Sequence, residues 1–372
     1  MNLEELRKNI NGLDEKILSD FTQRMEFCRQ VALYKQEHGL PIFQTDREKE
    51  VIQRIRDNAP EGLEGYSAVL FQNIMDISKY LQYRELHKDV QAYEYQPLIL
   101  NASASVACQG TAGANAETAA KQIFGKNCQP KFLPGFADVF EAVQNGEIHF
   151  GIIPVENSTS GSVVQAYDLM MKYNFYICQT TTVEITNCFA VRKGTKLWDV
   201  KEVYSHPQAL SQCARFIAVH DMHAMPYSNT ATAAQMVAES DQPYGAICSE
   251  NCAKLHGLEI LQKYISDYVP NYTRFICISK ELLLPDNADR ISIILKLSHE
   301  EGSLYRLLSK FAIGGMNLLK IESRPIQNGS FEVMFYLDFS GNIHDTTVSA
   351  LLQELSENLE YFKFLGNYSE IQ

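Results

Sequence analysis

Between residues 3 and 37 the apolar side chains return every seven positions, with Leu3, Ile10, Ile17 and Val31 on one row and Leu6, Leu13 and Phe27 on a second. The spacing predicts a single helix over 3–37, ended by the glycine and proline at 39–41, and roughly 50 Å long at about 1.5 Å per residue. Only two more helices, around 46–57 and 63–88, are predicted before residue 90. So few elements cannot cover both rows of a helix that long, so a second copy of the chain is expected to lie along it.

After Gln96-Pro97 the periodicity changes. Apolar runs at 104–109, 150–155, 202–205, 244–248 and 273–279 alternate with helix-like stretches at 114–124, 136–145, 162–172, 207–219 and 229–239. This alternation predicts an α/β domain with mostly parallel strands and a ligand at their C-terminal ends. A linker, Leu284-Pro285-Asp286-Asn287, leads to a third pattern. It reads strand 290–298, helix 302–313, strand 316–323, strand 331–339, helix 345–358 and strand 361–366, with a hairpin signal at Asn328-Gly329. That order is ferredoxin-like. The predicted domains are 1–90, 97–280 and 289–372.

The formal net charge of -12 argues against nonspecific nucleic-acid or anionic-membrane binding, both of which need clustered cations. No signal peptide and no membrane span are expected, which points to the cytoplasm. Nine cysteines are scattered, several inside apolar runs (Cys108, Cys178, Cys277). The pair Cys248 and Cys252 lacks the second pair or histidines of a zinc site, so no metal is expected. The stretch VACQGTAGANAETAAKQIF, Val106 to Phe124, places glycines between a strand and a helix, as phosphate loops do. No Lys-Ser/Thr follows Gly113, so a nucleotide loop fails, and no cofactor is expected.

Arg24 stands in the first apolar row where another apolar residue is due; alone, it reads as an arginine snorkelling to water. Arg7 and Lys35 flank that row, Arg47 and Glu48 open the second helix, and Ser78 and Gln82 share a face of the third. Together these describe a dry pocket with several cations, one carboxylate and two neutral hydrogen-bonders, suited to a small dicarboxylate. LRKNINGLDEKIL, QRMEFCRQVALYK, DREKEVI and SKYLQ resemble the all-helical chorismate mutase domain, an intertwined dimer, along its whole length. The resemblance implies that Arg7, reaching across from the partner subunit, and Arg24 hold the substrate carboxylates. It gives Lys35 and Gln82 the ether oxygen and Glu48 the ring hydroxyl, with Arg47 and Ser78 in support. Gln44 stands where the family often has an aspartate, which implies altered rather than abolished activity.

In the middle region, PVENSTSG (154–161), YSHPQALSQC (204–213) and YSNTATAA (227–234) are strand-to-helix junctions rich in small polar groups. Each alone reads as a helix cap; three converging on one sheet edge predict an anion site at helix N-termini. NYTRFICIS (271–279) sets Thr273 and Arg274 at the entrance of an apolar strand. These segments resemble the prephenate dehydratase domain over about 98–279, a two-subdomain α/β fold like that of periplasmic binding proteins. Thr273-Arg274-Phe275 is the most specific part. Glu156, Asn157, Ser158 and Gly161, then Ser205, His206, Gln208 and Gln212, support it, with Thr230 at the third junction. The resemblance implies that prephenate loses carbon dioxide and its ring hydroxyl to give phenylpyruvate. Thr273 would donate to the departing oxygen, while Arg274 and the helix N-termini would hold carboxylates. His206 reads equally as an acid or as a turn residue. The family usually follows its second glycine with Thr, an aromatic and a Ser; here stand Ala114, Asn115 and Ala116.

In the C-terminal region, EGSL (301–304) opens a helix and GGMNLLKIESRP (314–325) forms the next turn and strand. They resemble the ACT regulatory domain. That implies phenylalanine bound by Gly302, Ser303 and Leu304 together with Glu322, Ser323, Arg324 and Pro325, from paired subunits, with Asn317 and Leu318 nearby. The leading expectation is a bifunctional chorismate mutase/prephenate dehydratase inhibited by phenylalanine and assembled as a homodimer or homotetramer. The alternatives are a dehydratase that prefers arogenate and a ligand-binding regulator with an impaired middle domain.

Overall fold

The structure, a computed structural model, describes residues 2–86, 93–101, 104–326 and 332–371. The Asn328-Gly329 hairpin and the last two residues of the expected helix 63–88 lie outside them. The chain divides into two compact units, Met1–Glu94 with Asp289–Phe364, and Tyr95–Ala288 with Leu365–Gln372.

The first unit opens with helix α1 (Leu3–Glu37), started by a capping box in which Asn2 Oδ1 accepts from the Glu5 amide at 2.9 Å and Glu5 Oε2 accepts from the Asn2 amide at 3.0 Å. Helices α2 (Thr45–Asn58) and α3 (Glu64–Leu86) follow, and both α1 and α2 pack on α3. Of α1 only Met25 and Ala32 are buried; Leu13 and Ile17 are 60% and 64% exposed, and Leu3, Leu6, Ile10, Phe27 and Val31 are exposed with them.

The same unit contains strand Arg290–Lys296, helix Ser303–Ile313, strands Leu318–Pro325 and Val333–Ser340, helix Thr346–Asn358 and the start of strand Tyr361–Tyr368. Taking the four strands in chain order as first to fourth, they lie second, third, first, fourth across the sheet, the ferredoxin-like order. Helix α3 packs on the two helices of this region. Tyr80 Oη donates to the Thr347 carbonyl at 2.9 Å, and Asn358 Nδ2 donates to Tyr83 Oη at 2.9 Å. Burial lifts both phenols, Tyr80 to about 12, so they stay protonated and able to donate.

Among its described residues the second unit carries two large sheets, besides the short pair Gln96–Pro97 with Leu283–Leu284, where the sequence suggested one sheet edge. The larger runs Glu370–Ile371, Tyr176–Glu184, Tyr272–Ser279, Phe150–Asn157, Val106–Gln109, Lys131–Leu133. The smaller runs Glu259–Gln262, Cys188–Val191, Gly245–Cys248, Glu202–Ser205, His223–Pro226. The pairing is mixed rather than mostly parallel. Tyr272–Ser279 is antiparallel to both neighbours, and Cys188–Val191 is antiparallel to both of its own. The expected helix 207–219 is two short helices, Pro207–Gln212 and Ala214–Val219, meeting at Cys213.

Each sheet has its own core. Phe150, Ile152, Phe275 and Cys277 pack with α4 (Asn115–Phe124) on one; Phe189, Val203, Phe216 and Ile247 pack together on the other. All nine cysteines are free and all but Cys28 are buried. Cys248 and Cys252 sit in a small apolar cluster with Ala231 and Ala234, serving as small hydrophobes.

Candidate functional site

A cavity of about 180 Å³ opens in the second unit where polar residues of both sheets' junctions meet. Asn157, His206, Gln208, Gln212, Thr230 and Thr273 line it, bringing together residues from all four segments singled out in the sequence. Asn115, from the helix start that the sequence set at the border of the cleft, also lines it, as do Asn187, Asn229 and Ser249, which were not assigned as site residues from sequence.

Strand alternation decides which side chains face this cavity. Thr273 pairs in register with Asn157, and Arg274 with Glu156. Thr273 and Asn157 line the cavity; Arg274 and Glu156 do not, and instead pair with each other at 3.1 Å. Arg274, expected to hold a substrate carboxylate, is not among the residues that line the cavity.

Asn157 organises the cavity floor. Its Nδ2 donates to Thr273 Oγ1 at 2.9 Å and to Asn271 Oδ1 at 2.7 Å. Its Oδ1 accepts from the amides of Thr159 and Ser160 and from Thr159 Oγ1. Gln212 Nε2 then reaches Thr159 Oγ1 at 3.0 Å, and Gln208 Nε2 reaches Ser160 Oγ at 2.9 Å. Because Thr273 Oγ1 accepts from an amide, its own hydrogen is available to donate. Buried polar networks of this kind hold one geometry when satisfied.

The remaining expected residues of this region have structural duties. Ser205 is fully buried and donates to the Ile247 carbonyl at 2.6 Å. Phe275 belongs to the apolar core. Ser158 is exposed, its Oγ accepting from the Tyr272 amide at 2.9 Å, and Gly161 turns with φ +77°. His206 caps its helix, Nδ1 accepting from the Gln208 amide at 3.2 Å, and burial lowers its pKa. It is therefore a neutral imidazole whose Nδ1 is occupied, although its ring still borders the cavity.

Helices begin around the cavity at Asn115, at Pro207, at Thr230 and at Glu250, the last two capped by Asn229 and Ser249. The glycine turn before α4 serves this closure. A Cβ on Gly113 would come within 3.1 Å of the Cys252 backbone, and Ser249 Oγ donates to the Gly113 carbonyl at 3.3 Å. The Gly113 amide is held by the chain's own Glu117 carboxylate at 2.6 Å, so the turn's anion seat is already filled.

The candidates in the helical region are less complete. Ser78 and Gln82 are buried on α3, Ser78 donating to the Met75 carbonyl at 3.0 Å and Gln82 Oε1 having no hydrogen-bond partner among the described residues. Lys35 Nζ donates to the Ile42 carbonyl at 2.7 Å, and burial lowers its pKa, with Glu48 acting in the opposite direction. Glu48 itself is held by Lys79 at 3.1 Å, and Lys79 also pairs with Asp76 at 2.9 Å. Burial opposes the Lys79 charge, but the two carboxylates outweigh it and raise its pKa. Lys79 carried no signal in the heptad pattern. Arg24 is half-buried against Cys28, and Gln44 is half-buried before α2. Arg7 is exposed, and Arg47, its side chain 56% exposed, pairs with Glu50 at 2.7 Å.

In the C-terminal region Gly302 (φ +76°) precedes a helix whose first residue, Ser303, accepts at Oγ from Arg306 at 3.1 Å, while Leu304 is exposed. Leu318, Glu322 and Arg324 alternate with exposed Leu319, Ile321, Ser323 and Pro325 along an edge strand, and exposed Asn317 precedes it. The strand begins two residues later than expected, at Leu318, and Met316 before it is buried.

Among the described residues no cluster of three or more His, Cys, Asp or Glu could hold a metal, and no helix is long and apolar enough to cross a membrane.

Comparison with known proteins finds two family models on the chain. A family model for prephenate dehydratase matches residues 106–282, and one for chorismate mutase type II matches residues 6–83. A bifunctional chorismate mutase/prephenate dehydratase of Aquifex aeolicus is 31% identical over 373 residues, 98% of this chain and 97% of its own. Arogenate dehydratase/prephenate dehydratase 1, chloroplastic, of Arabidopsis thaliana is 35% identical over 280 residues, 71% of each chain. Among solved structures, prephenate dehydratase of Arthrobacter aurescens in complex with L-Phe is 30% identical, with a TM-score of 0.66 over 71% of this chain and 90% of that one. The chain thus joins a helical chorismate mutase domain to a domain of the prephenate dehydratase fold. It belongs to the bifunctional chorismate mutase/prephenate dehydratase family.

Proposed function

We propose that the chain rearranges chorismate to prephenate in its helical region and converts prephenate to phenylpyruvate in the cavity of its second unit. The observation that carries the second step is the Asn157–Thr273 bond, which leaves the threonine hydrogen directed to a donor's role. Loss of carbon dioxide and hydroxide from prephenate yields an aromatic ring, so the protein needs only to orient the substrate and ease departure of hydroxide. A threonine hydroxyl is too weak an acid to hand over its proton early, but it can donate a hydrogen bond to the leaving oxygen as charge develops. The helix N-terminus at Thr230, which starts a ten-residue helix, supplies partial positive charge for a substrate carboxylate, whereas the one at Asn115 is already met by Glu117. It takes part of the role expected of Arg274, which does not line the cavity.

The mutase step is pericyclic and needs no acid, base or nucleophile. Selection of the compact conformer and stabilisation of charge on the ether oxygen suffice. Arg24, Lys35, Glu48, Ser78 and Gln82 would contribute from one chain, with Arg7 from a second copy lying along the exposed stripe of α1. Fully burying each large apolar side chain of that stripe is worth about 1.5–3 kcal/mol. A homodimer follows, or a homotetramer if the exposed edge strand Leu318–Pro325 also pairs.

The ferredoxin-like region would be an ACT sensor for L-phenylalanine, using Gly302–Leu304 and Glu322–Pro325 of paired chains. The domain boundaries proposed are 1–90, 97–280 and 289–372, and the proposed compartment is the cytoplasm. Chorismate supplied to the purified protein should give prephenate and then phenylpyruvate, both slowed by phenylalanine. No consumption of chorismate would refute the first step, and accumulation of prephenate the second. Arogenate in place of prephenate tests the preference that the name of the Arabidopsis relative raises.

A further inference from the structure

Beyond strand Tyr361–Tyr368 the chain runs as a short strand, Glu370–Ile371, parallel to Tyr176–Glu184, with Glu370 opposite Thr180 and Ile371 opposite Thr181. This seam is tightly fixed. The Ser369 carbonyl accepts from the Thr180 amide at 3.0 Å and from Gln179 Nε2 at 2.9 Å. Ser369 Oγ donates to Asn287 Oδ1 at 3.0 Å, and Thr181 Oγ1 donates to the Ile371 carbonyl at 3.1 Å. Gly366 crosses so close to Tyr176–Glu184 that a Cβ there would collide with the Ile177 carbonyl oxygen. Asn367 and Ser369 are buried.

The seam delivers one carboxylate to a particular place. Glu370, its side chain 19% exposed, accepts at Oε1 from Thr182 Oγ1 at 2.7 Å and lies 3.8 Å from Arg274 Nε. That nitrogen is buried with no hydrogen-bond partner among the described residues. On its other side the Arg274 guanidinium meets Glu156 at 3.1 Å. Thr182, Arg274 and Glu156 stand opposite one another on three adjacent strands, so the guanidinium lies between a carboxylate of the neighbouring strand and one of the tail. Arg274 is the next residue after Thr273 on the same strand, and a register shift follows it at Phe275. A rotation of the strand at this irregularity would turn Thr273 away from Asn157. An ion pair clamped from both sides opposes that rotation.

We infer that Glu370 is a positioning residue for the dehydration step: it holds Arg274 from the tail side and thereby fixes the strand that presents Thr273. This rests on the dehydratase reading of the cavity. The Thr182 bond sets the Glu370 carboxylate, the carboxylate sets the guanidinium, and the guanidinium fixes the backbone that carries the donor. Near-attack geometry is sensitive to shifts of about 1 Å, which can cost up to about 100-fold in rate.

The test compares Glu370→Gln, Arg274→Gln and the double variant with the wild-type full chain. Measured are kcat and KM for prephenate, the mutase rate and the unfolding midpoint. Glu370→Gln keeps the Thr182 hydrogen bond but removes the charge. It should lower dehydratase kcat about tenfold, on the scale of such misplacements, with little change in KM, in mutase rate or in unfolding midpoint. In the Arg274→Gln background it should add nothing further, because the two act as one unit. Wild-type kcat in Glu370→Gln, a fall in its KM, or fully additive losses in the double variant would each overturn the inference. If Glu370→Gln proves unstable, Glu370→Asp should recover part of the kcat loss, and absence of recovery in a folded variant also counts against it. Failure of the dehydratase reading itself would look different, since the wild-type protein would then leave prephenate unconverted.

Discussion

The two candidate sites differ in what a single chain supplies. In the second unit one chain closes a cavity, and Asn157, Thr273, Gln208 and Gln212 are tied to one another or to Thr159 and Ser160. In the helical region one chain buries Ser78 and Gln82 but leaves Arg7 and an apolar stripe of α1 exposed. A site made of loops and helix ends on two sheets can close on itself. A site strung along a 35-residue helix that packs mainly on α3 is proposed to need a second copy. The difference lies in topology, and it predicts that perturbing association should strike one activity and spare the other.

The largest effect expected is at the donor. Thr273→Ala should lower the dehydratase rate about 100- to 1,000-fold, the usual cost of one transition-state donor, and leave the mutase rate unchanged. Equal loss of both would break the separation. Next, Ile17→Glu would set a charge into the stripe where the second copy is proposed to pack. Light scattering should show weakened association and mutase assays a loss of about 100-fold, since a residue 1 Å out of place can cost that much, while prephenate turnover stays near normal. Asn157→Ala should cost the dehydratase about tenfold or more by releasing Thr273 and leaving buried partners unsatisfied, a penalty of about 1–3 kcal/mol.

The smallest effect concerns His206. Burial depresses its pKa below the ordinary value of about 6.5, so the unfolded chain takes up the proton first as pH falls. The stability tied to neutral His206 is complete above about pH 6.5 and is lost as pH falls through and below that value. His206→Asn keeps a cap acceptor, so dehydratase turnover should stay within about threefold, consistent with a cap worth about 1 kcal/mol. The decline of melting temperature between about pH 7 and 5 should become shallower. A collapse of turnover would restore a catalytic role for the imidazole.

The repeating elements were legible from sequence because periodicity reports burial directly. Helix α1 runs Leu3–Glu37 as the heptads imply, and the C-terminal strands and helices alternate as expected. Strand Tyr176–Glu184 went unread although its threonines favour a strand, and with it went the antiparallel surroundings of Tyr272–Ser279. Polar junctions pointed to the cavity but not to its full lining. Asn187 and Asn271 look like loop residues until folding brings Asn187 to the cavity wall and Asn271 against Asn157 and Gln212. Arg274 was read beside Thr273 from their adjacency along the chain, while strand alternation sends neighbours to opposite faces, and Arg274 does not line the cavity. The glycine turn misled for a related reason. Its geometry can cradle an anion, but Glu117 holds the Gly113 amide and Cys252 sets the need for a missing side chain. Glu370 lies about 100 positions from Arg274 along the chain, and no local pattern joins them.

The central claim, one site complete in a single chain and the other shared, is tested most directly by subunit mixing. Arg7→Ala and Arg24→Ala chains are prepared separately, each with little mutase activity, then unfolded together and refolded. If Arg7 serves the partner's site, mixed assemblies regain mutase activity that neither parent has, while the dehydratase rate per chain stays constant throughout. Mixed assemblies that form but recover nothing would contradict the account.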